Sequence, residues 1–281
     1  MTYNPMNPLT RDQLRSVAPS VFADSPWEKC SDKYAFIPTI QVVDLLEGEG
    51  YQVVKASQSR TRVEGKEGFT KHMLRFRHQD IMTRPVESRV GDLFPEIVVT
   101  NSHDTGSAFK VDLGIFRLAC LNGMMVADST LPSTSIRHSG RIDDVVNASL
   151  KAIEAAPLAL EGVQTMNSVQ LTDREQLAFA TAARELRWPT DETGRNRMEP
   201  SQLLRGRRYT DRGPSLWATM NRVQENMVKG GRWVKVLPVD PSRPVYESRA
   251  ATAVKGVDQD RKLNKALWAL AEQMRLIHGN A

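Results

Sequence analysis

Cysteine is nearly missing from this sequence: Cys30 and Cys120 are the only two in 281 residues. They lie far apart and share no metal-ligand spacing, which excludes a disulfide scaffold and reads as two reduced, buried thiols of a cytoplasm. Long apolar runs are also missing. No window approaches the ~18 uninterrupted apolar residues of a membrane span, so no membrane partner is expected. The first twenty residues lack the apolar core of a secretory leader, so no export is expected either. No GxxxxGK[ST] phosphate loop, no GxGxxG between a strand and a helix, no HExxH and no GxSxG occurs. Each absence argues against an enzyme class: P-loop ATPases, Rossmann oxidoreductases, zincins and α/β-hydrolases. The reading therefore expects no catalytic residue, no metal and no cofactor.

What is present suits a folded chain of one or two domains, with 40 % hydrophobic and 25 % charged residues. The net charge of +5 is unevenly placed. From Arg184 to Lys262 there are 17 basic and 10 acidic residues, and from Lys55 to Arg89 there are 9 and 4. The first 54 residues carry 4 basic and 7 acidic. Such asymmetry is the footprint of a polyanion-binding surface, set against the plainer reading of a solvated basic face.

Periodicity divides the chain into an arm over 1–33, an α+β core over 34–188 and a basic helical region over 189–281. In the arm, Thr10 suits the cap of a short helix to Val17. Pro38 opens a core helix with Ile40, Val43 and Leu46 at helical spacing. An antiparallel meander follows, with strands expected at Tyr51–Val63, Phe69–Phe76, Glu96–Thr100, Ala108–Cys120, Met124–Val126 and Thr134–His138, and a tight turn at Asn122-Gly123. Helices are expected at Gly140–Val169, Thr172–Arg187, Glu199–Leu204, Ser215–Lys229 and Asp258–His278. Residues 232–257 read as an irregular basic segment. The last helix carries Leu263, Leu267, Leu270, Met274 and Ile277 as its apolar stripe. Strands first and helices afterwards give an α+β fold.

Four constellations carry chemistry. Alternation puts Lys71, Met73, Arg75 and Arg77 on one strand face, with cations ~6–7 Å apart, near the spacing of phosphates along one strand. The plainer reading is a half-exposed strand with solvated arginines. Arg205, Arg207 and Arg208 with Tyr209 form the densest basic cluster, where the arginines hold phosphates and Tyr209 stacks on a base; a flexible surface loop is the equal alternative. In the helix from Leu216, Asn221, Gln224, Glu225 and Asn226 lie beside an apolar strip of Trp217, Met220 and Met227. They read either as a binding groove or, more simply, as a network pinning the helix to the basic loop before it. Asn101-Ser102-His103-Asp104, with His138, Asp143 and Asp144, is the set from which a metal-dependent nuclease site would have to be built; Asx turns and helix caps are the simpler reading.

Three blocks resemble the phage/plasmid-like protein family, a domain of unknown function of phages, prophages and plasmids. They are Gly68–Met73 with Arg75 and Arg77; Asn101–Asp104, Phe116–Gly123 and Arg137–Gly140; and Leu216–Asn221, Gln224–Asn226, Gly230-Gly231 and Leu263–Trp268. A looser similarity of layout links the chain to the ring-forming single-strand annealing proteins of phage recombination. Those proteins hold one DNA strand in a basic groove and need no ATP for pairing. What the resemblance implies is a role in DNA metabolism or host takeover in the cytoplasm of a bacterial host. The expectation is a single-stranded DNA-binding protein that assembles into a ring or filament and promotes ATP-independent annealing. Its expected DNA-binding residues are Lys71, Arg75, Arg77, Arg205, Arg207, Arg208, Tyr209, Asn221 and Gln224. A single-strand binding protein or an exonuclease is a further expected partner. An accessory protein that binds a host protein and the metal-dependent nuclease remain as alternatives.

Overall fold

A computed structural model describes residues 7–82, 93–117, 122–125, 133–136, 141–192, 194, 196–207, 211–236 and 247–279. The chain divides into two compact units, Met1–Ala159 and Leu160–Ala281.

The first unit opens with helix α1 (Arg11–Val17). Thr10 Oγ1 accepts from Gln13 N at 3.2 Å and Gln13 Oε1 accepts from Thr10 N at 2.9 Å, so two otherwise orphaned donors are satisfied reciprocally. Helix α2 (Thr39–Gly48) follows Pro38 and buries Thr39, Val42, Val43 and Leu46. Val43 and Leu46 of the expected stripe are buried, whereas Ile40 is only half-buried and Thr39 and Val42 take the inward side of the first turn. Thr39 takes the inward position because its hydroxyl has buried partners, described below.

Among the described residues six antiparallel strands make the sheet: β1 (Tyr51–Gln58), β2 (His72–His78), β3 (Leu93–Asn101), β4 (Phe109–Arg117), β5 (Asn122–Met125) and β6 (Ser133–Ile136). The order is β1-β2-β3-β4-β5. β5 pairs with Gly114–Arg117 and β6 with Phe109–Asp112, so the two short strands share one edge of β4. A one-turn helix, α3 (Gln79–Met82), follows β2. Helix α4 (Ile142–Glu154) packs on α2, β3 and β4 through Val145, Ala148, Ser149 and Ala152. The α+β class expected from the sequence is the one observed.

Details differ for local reasons. β1 stops at Gln58, five residues short of the expected end, where Ser59–Arg62 offers no apolar side chain to bury. Asn122 and Gly123 pair with Arg117 and Phe116, so they lie in β5 and not in a turn. The helix expected over Gly140–Val169 is two: Pro157 has no N–H to give to a preceding turn, so it sits in the first turn of a new helix, α5 (Ala156–Ser168).

The second unit begins within α5 and continues with α6 (Asp173–Glu185), α7 (Pro200–Leu203) and α8 (Leu216–Lys229). The expected capping box closes α6: Thr172 Oγ1 accepts from Glu175 N and Glu175 Oε2 from Thr172 N at 2.7 Å. A hairpin, β7 (Trp233–Val236) and β8 (Glu247–Ala250), occupies the segment expected to be irregular, and α9 (Val257–Gly279) ends the unit. α9 buries Leu263, Asn264, Leu267, Trp268 and Ala271. Ile277, placed on the stripe by spacing, is 67 % exposed because the buried face does not reach the last two turns. Among the described residues no helix is long and apolar enough to cross a membrane.

Candidate functional site

Eleven of the fourteen residues of α8 are buried, including Asn221, Arg222, Gln224, Glu225 and Asn226. A helix buried all round must satisfy its polar side chains internally. Asn221 Nδ2 donates to Trp217 O at 2.7 Å. Gln224 Nε2 donates to Asn264 Oδ1 of α9 at 2.9 Å. Arg222 spreads its guanidinium over Asp211 O, Gly213 O, Gln176 Oε1 and Thr219 Oγ1, all within 3.0 Å. Burial lowers the Arg222 pKa, against the opposing pull of Asp211. Asn221 and Gln224, two expected DNA contacts, are each about 1 % exposed and serve this network.

Asn226, fully buried, organises the surface beside the helix. Its Nδ2 donates to Leu203 O at 2.8 Å and Arg205 O at 2.9 Å, which fixes the turn after α7. Its Oδ1 accepts from Arg207 Nε at 2.9 Å and Arg232 Nε at 2.7 Å. Arg207 also donates to Gly230 O, and Arg232 to Arg205 O at 2.6 Å. Two guanidiniums from separate segments thus meet on one amide oxygen, with Arg205 beside them. Among the described residues no carboxylate lies within ion-pairing distance of Arg205, Arg207 or Arg232. Partial burial, then the positive charges of Arg207 and Arg205, push the Arg232 guanidinium below its ordinary pKa, with Glu225 opposing. Gly230 closes α8 at φ 68°, where an L side chain is strained, and a Cβ there would meet Ala251 O.

The hairpin next to this cluster is held in register by Gly231 N to Ala251 O and Ala251 N to Arg232 O, both 2.7 Å. Strand alternation turns Val234 inward and leaves Trp233 58 % exposed. Lys235, on the Trp233 face, reaches Glu199 at 2.9 Å. Arg208 and Tyr209 lie outside the described residues.

In the first unit the expected basic strand face is not a surface. Arg75 and Arg77 are 2 % and 1 % exposed, and both bind Glu96, itself buried. Arg75 Nε meets Oε2 at 2.6 Å, and Arg77 Nη2 meets Oε1 at 2.6 Å. The Arg77 guanidinium also lies 4.2 Å from the Phe116 ring centroid. Asp112, also buried, sits in register across Val98 from Arg75. Alternation placed these side chains on one face correctly; what it could not show is that this face is covered. Lys71 is the half-buried member of the set and makes its own pairings.

The residues weighed for a nuclease are spread among structural roles. Thr39 Oγ1 lies 2.9 Å from His72 Nε2, 3.2 Å from His103 Nε2 and 2.9 Å from Asn101 Nδ2. His72 Nδ1 lies 2.8 Å from Ser20 Oγ, whose own proton goes to Gln58 Oε1 at 2.7 Å. One proton order satisfies this chain: His72 Nδ1–H to Ser20, Thr39 O–H to His72 Nε2, and His103 Nε2–H to Thr39. Both imidazoles are then neutral. Full burial lowers the His72 pKa to about 4, with Thr70 O and Asp104 opposing. Asp104 pairs with Lys66 at 3.1 Å. Asp143 is exposed in the first turn of α4, and Asp144 accepts from Arg141 N at 2.8 Å. His138 lies outside the described residues.

Sequence reading missed Arg232 and Trp233. The signal was there, since Gly230-Gly231 followed by Trp-Val-Lys-Val alternates like a strand, but four prolines and glycines nearby masked it. The fold and site define an α+β protein whose second unit gathers arginines, without an ion-paired carboxylate among the described residues, beside a polar, buried helix. The chain belongs to the family described as Domain of unknown function (DUF932), which matches residues 26–268. It is similar to UPF0380 protein YafZ and to UPF0380 protein YfjQ of Escherichia coli strain K12. Each is 36 % identical over 269 residues, covering 95 % of this chain and 92 % of the relative. The family resemblance read from the sequence blocks is thereby met. No solved structure matches significantly.

Proposed function

We propose that the protein binds single-stranded DNA of a phage or related mobile element, in the bacterial cytoplasm, and promotes ATP-independent annealing as a ring or filament. The observation that carries this reading is the Arg205–Arg207–Arg232 cluster: the Arg207 and Arg232 guanidiniums are held together on a buried amide and on carbonyls, the Arg205 charge lies beside them, and no carboxylate is in ion-pairing range among the described residues. Like charges gathered in this way are costly unless an anion relieves them, and DNA supplies anions at regular spacing. Trp233, exposed on the adjoining hairpin, offers a π-face on which a base stacks without sequence preference.

The DNA path of this reading differs from the one expected from sequence. Arg205 and Arg207 remain, Arg232 and Trp233 join them, and Arg75, Arg77, Asn221 and Gln224 serve the interior. A single-strand binding protein or an exonuclease fits as a partner in recombination. The test is a gel shift with a fluorescent oligonucleotide, with Mg²⁺ or EDTA, followed by addition of the complementary strand. The expected result is metal-independent binding and faster pairing than in buffer. Absence of binding at low salt refutes the reading; Mg²⁺-dependent loss of the strand replaces it with a nuclease. Mass photometry with and without DNA tests assembly, and a persistent monomer contradicts the ring or filament.

A further inference from the structure

The same cluster has more positive charge than one internal phosphate requires. An internal phosphodiester carries one negative charge, whereas a terminal phosphomonoester carries about 1.5 to 2 at neutral pH and offers three acceptor oxygens. Every hydrogen bond that Arg207 and Arg232 make among the described residues goes to a neutral oxygen: Asn226 Oδ1, Gly230 O and Arg205 O. Their Nη1 groups and the whole Arg205 guanidinium make no hydrogen bond among the described residues. The frame is rigid before any ligand arrives, because Asn226 ties the Arg205 turn to α8 and the hairpin register ties Arg232 to Ala251. Little ordering entropy of Arg207 and Arg232 remains to oppose binding, and the exposed Arg205 side chain is the one that orders on the ligand.

The geometry points to a seat for a doubly charged phosphate group formed by Arg205, Arg207 and Arg232. On DNA the group is the phosphomonoester at a strand end, an assignment that rests on the single-strand reading above. Planar guanidiniums suit its oxygens bidentately, and Asn226 is the positioning residue that brings two of them together.

The experiment uses the full chain and fluorescence anisotropy. Three oligonucleotides of one sequence carry a 5′-phosphate, a 3′-phosphate or hydroxyls at both ends. One phosphorylated end is expected to bind about tenfold tighter than the hydroxyl form, from charge-assisted bonds that an internal phosphate cannot match. Arg205→Gln, whose side chain holds nothing else in place among the described residues, is expected to reduce that gap to within about twofold. Arg232→Gln is expected to do the same, with circular dichroism confirming its fold. Inorganic phosphate is expected to close the gap in the wild type. Equal binding of all three oligonucleotides overturns the seat and leaves the single-strand reading standing. A gap that survives both substitutions overturns the assignment to these arginines. If no oligonucleotide binds but inorganic phosphate raises the melting temperature, and does so less in Arg205→Gln, the seat holds for free phosphate and the DNA reading falls. If neither binds, both fall.

Discussion

Replacing Glu96 by Gln tests the interior of the first unit most severely. Glu96 is the carboxylate that both Arg75 and Arg77 reach at 2.6 Å, and all three residues are 2 % exposed or less. Removing one partner of a buried ion pair costs about 3–5 kcal/mol, because the charge left behind is desolvated and uncompensated. Gln keeps the shape and one acceptor oxygen, so one guanidinium retains a neutral hydrogen bond, and Asp112 remains nearby in register. The expected loss is therefore at the lower end, about 3 kcal/mol, a large share of the ~5–15 kcal/mol that holds a typical domain. Urea unfolding followed by far-ultraviolet circular dichroism measures it. A quadruple variant with Glu96→Met, Arg75→Leu, Arg77→Met and Asp112→Asn is expected to recover most of the loss, since it takes out the two buried arginines together with the buried carboxylates beside them. A Glu96→Gln protein within about 0.5 kcal/mol of wild type would refute the reasoning. It would also restore the two arginines as candidates for a surface role.

Other consequences concern pH, backbone and surface. His72 titrates at about 4 when folded and near 6.5 when unfolded. The unfolded chain takes up a proton first as pH falls, so stability drops from about pH 6.5 to 4, by about 2 kcal/mol between pH 7 and 5. Urea midpoints at the two pH values check this, and a His72→Gln variant with the same pH slope as wild type would contradict it. Gly230→Ala puts a Cβ against Ala251 O at a positive φ, and is expected to cost at least ~2 kcal/mol. Gly231→Ala meets only Arg207 Nη2 at 3.9 Å and should cost about 1 kcal/mol, so equal losses in thermal melts would count against the described turn. Trp233→Ala is expected to change stability by less than about 0.5 kcal/mol and to weaken oligonucleotide binding by about 1–3 kcal/mol. Titration of both proteins decides it, and unchanged affinity removes Trp233 from the site.

Much of the fold was legible because its signals are local. Thr10-Arg-Asp-Gln13 and Thr172-Asp-Arg-Glu175 cap helices by chemistry contained within four residues, and both boxes form. Alternation in β2 correctly put Arg75 and Arg77 on one side of the strand. What alternation does not contain is whether that side meets water, and here the answer came from Glu96, 21 residues after Arg75 and 19 after Arg77. The same limit explains α8. Its amides looked equally suited to a groove or to a network until Asn264, Leu203 and Arg205 supplied their partners from other elements. Arg232 became visible only through Asn226 Oδ1, an acceptor that it shares with an arginine 25 positions earlier.

The central claim is that Arg205, Arg207 and Arg232 hold a nucleic-acid backbone. Fluorescence anisotropy of a single-stranded oligonucleotide over a salt series, for wild type and for Arg205→Gln with Arg207→Gln and Arg232→Gln, tests it most directly. Each neutralised phosphate contributes a slope of about −0.7 in log affinity against log salt, and a cluster gathered on one amide meets one or two phosphates, so the triple variant is expected to flatten the line by about 0.7 to 1.4 while keeping the wild-type circular dichroism. A folded variant with the wild-type slope, or a wild type that binds no oligonucleotide at low salt, would contradict the claim.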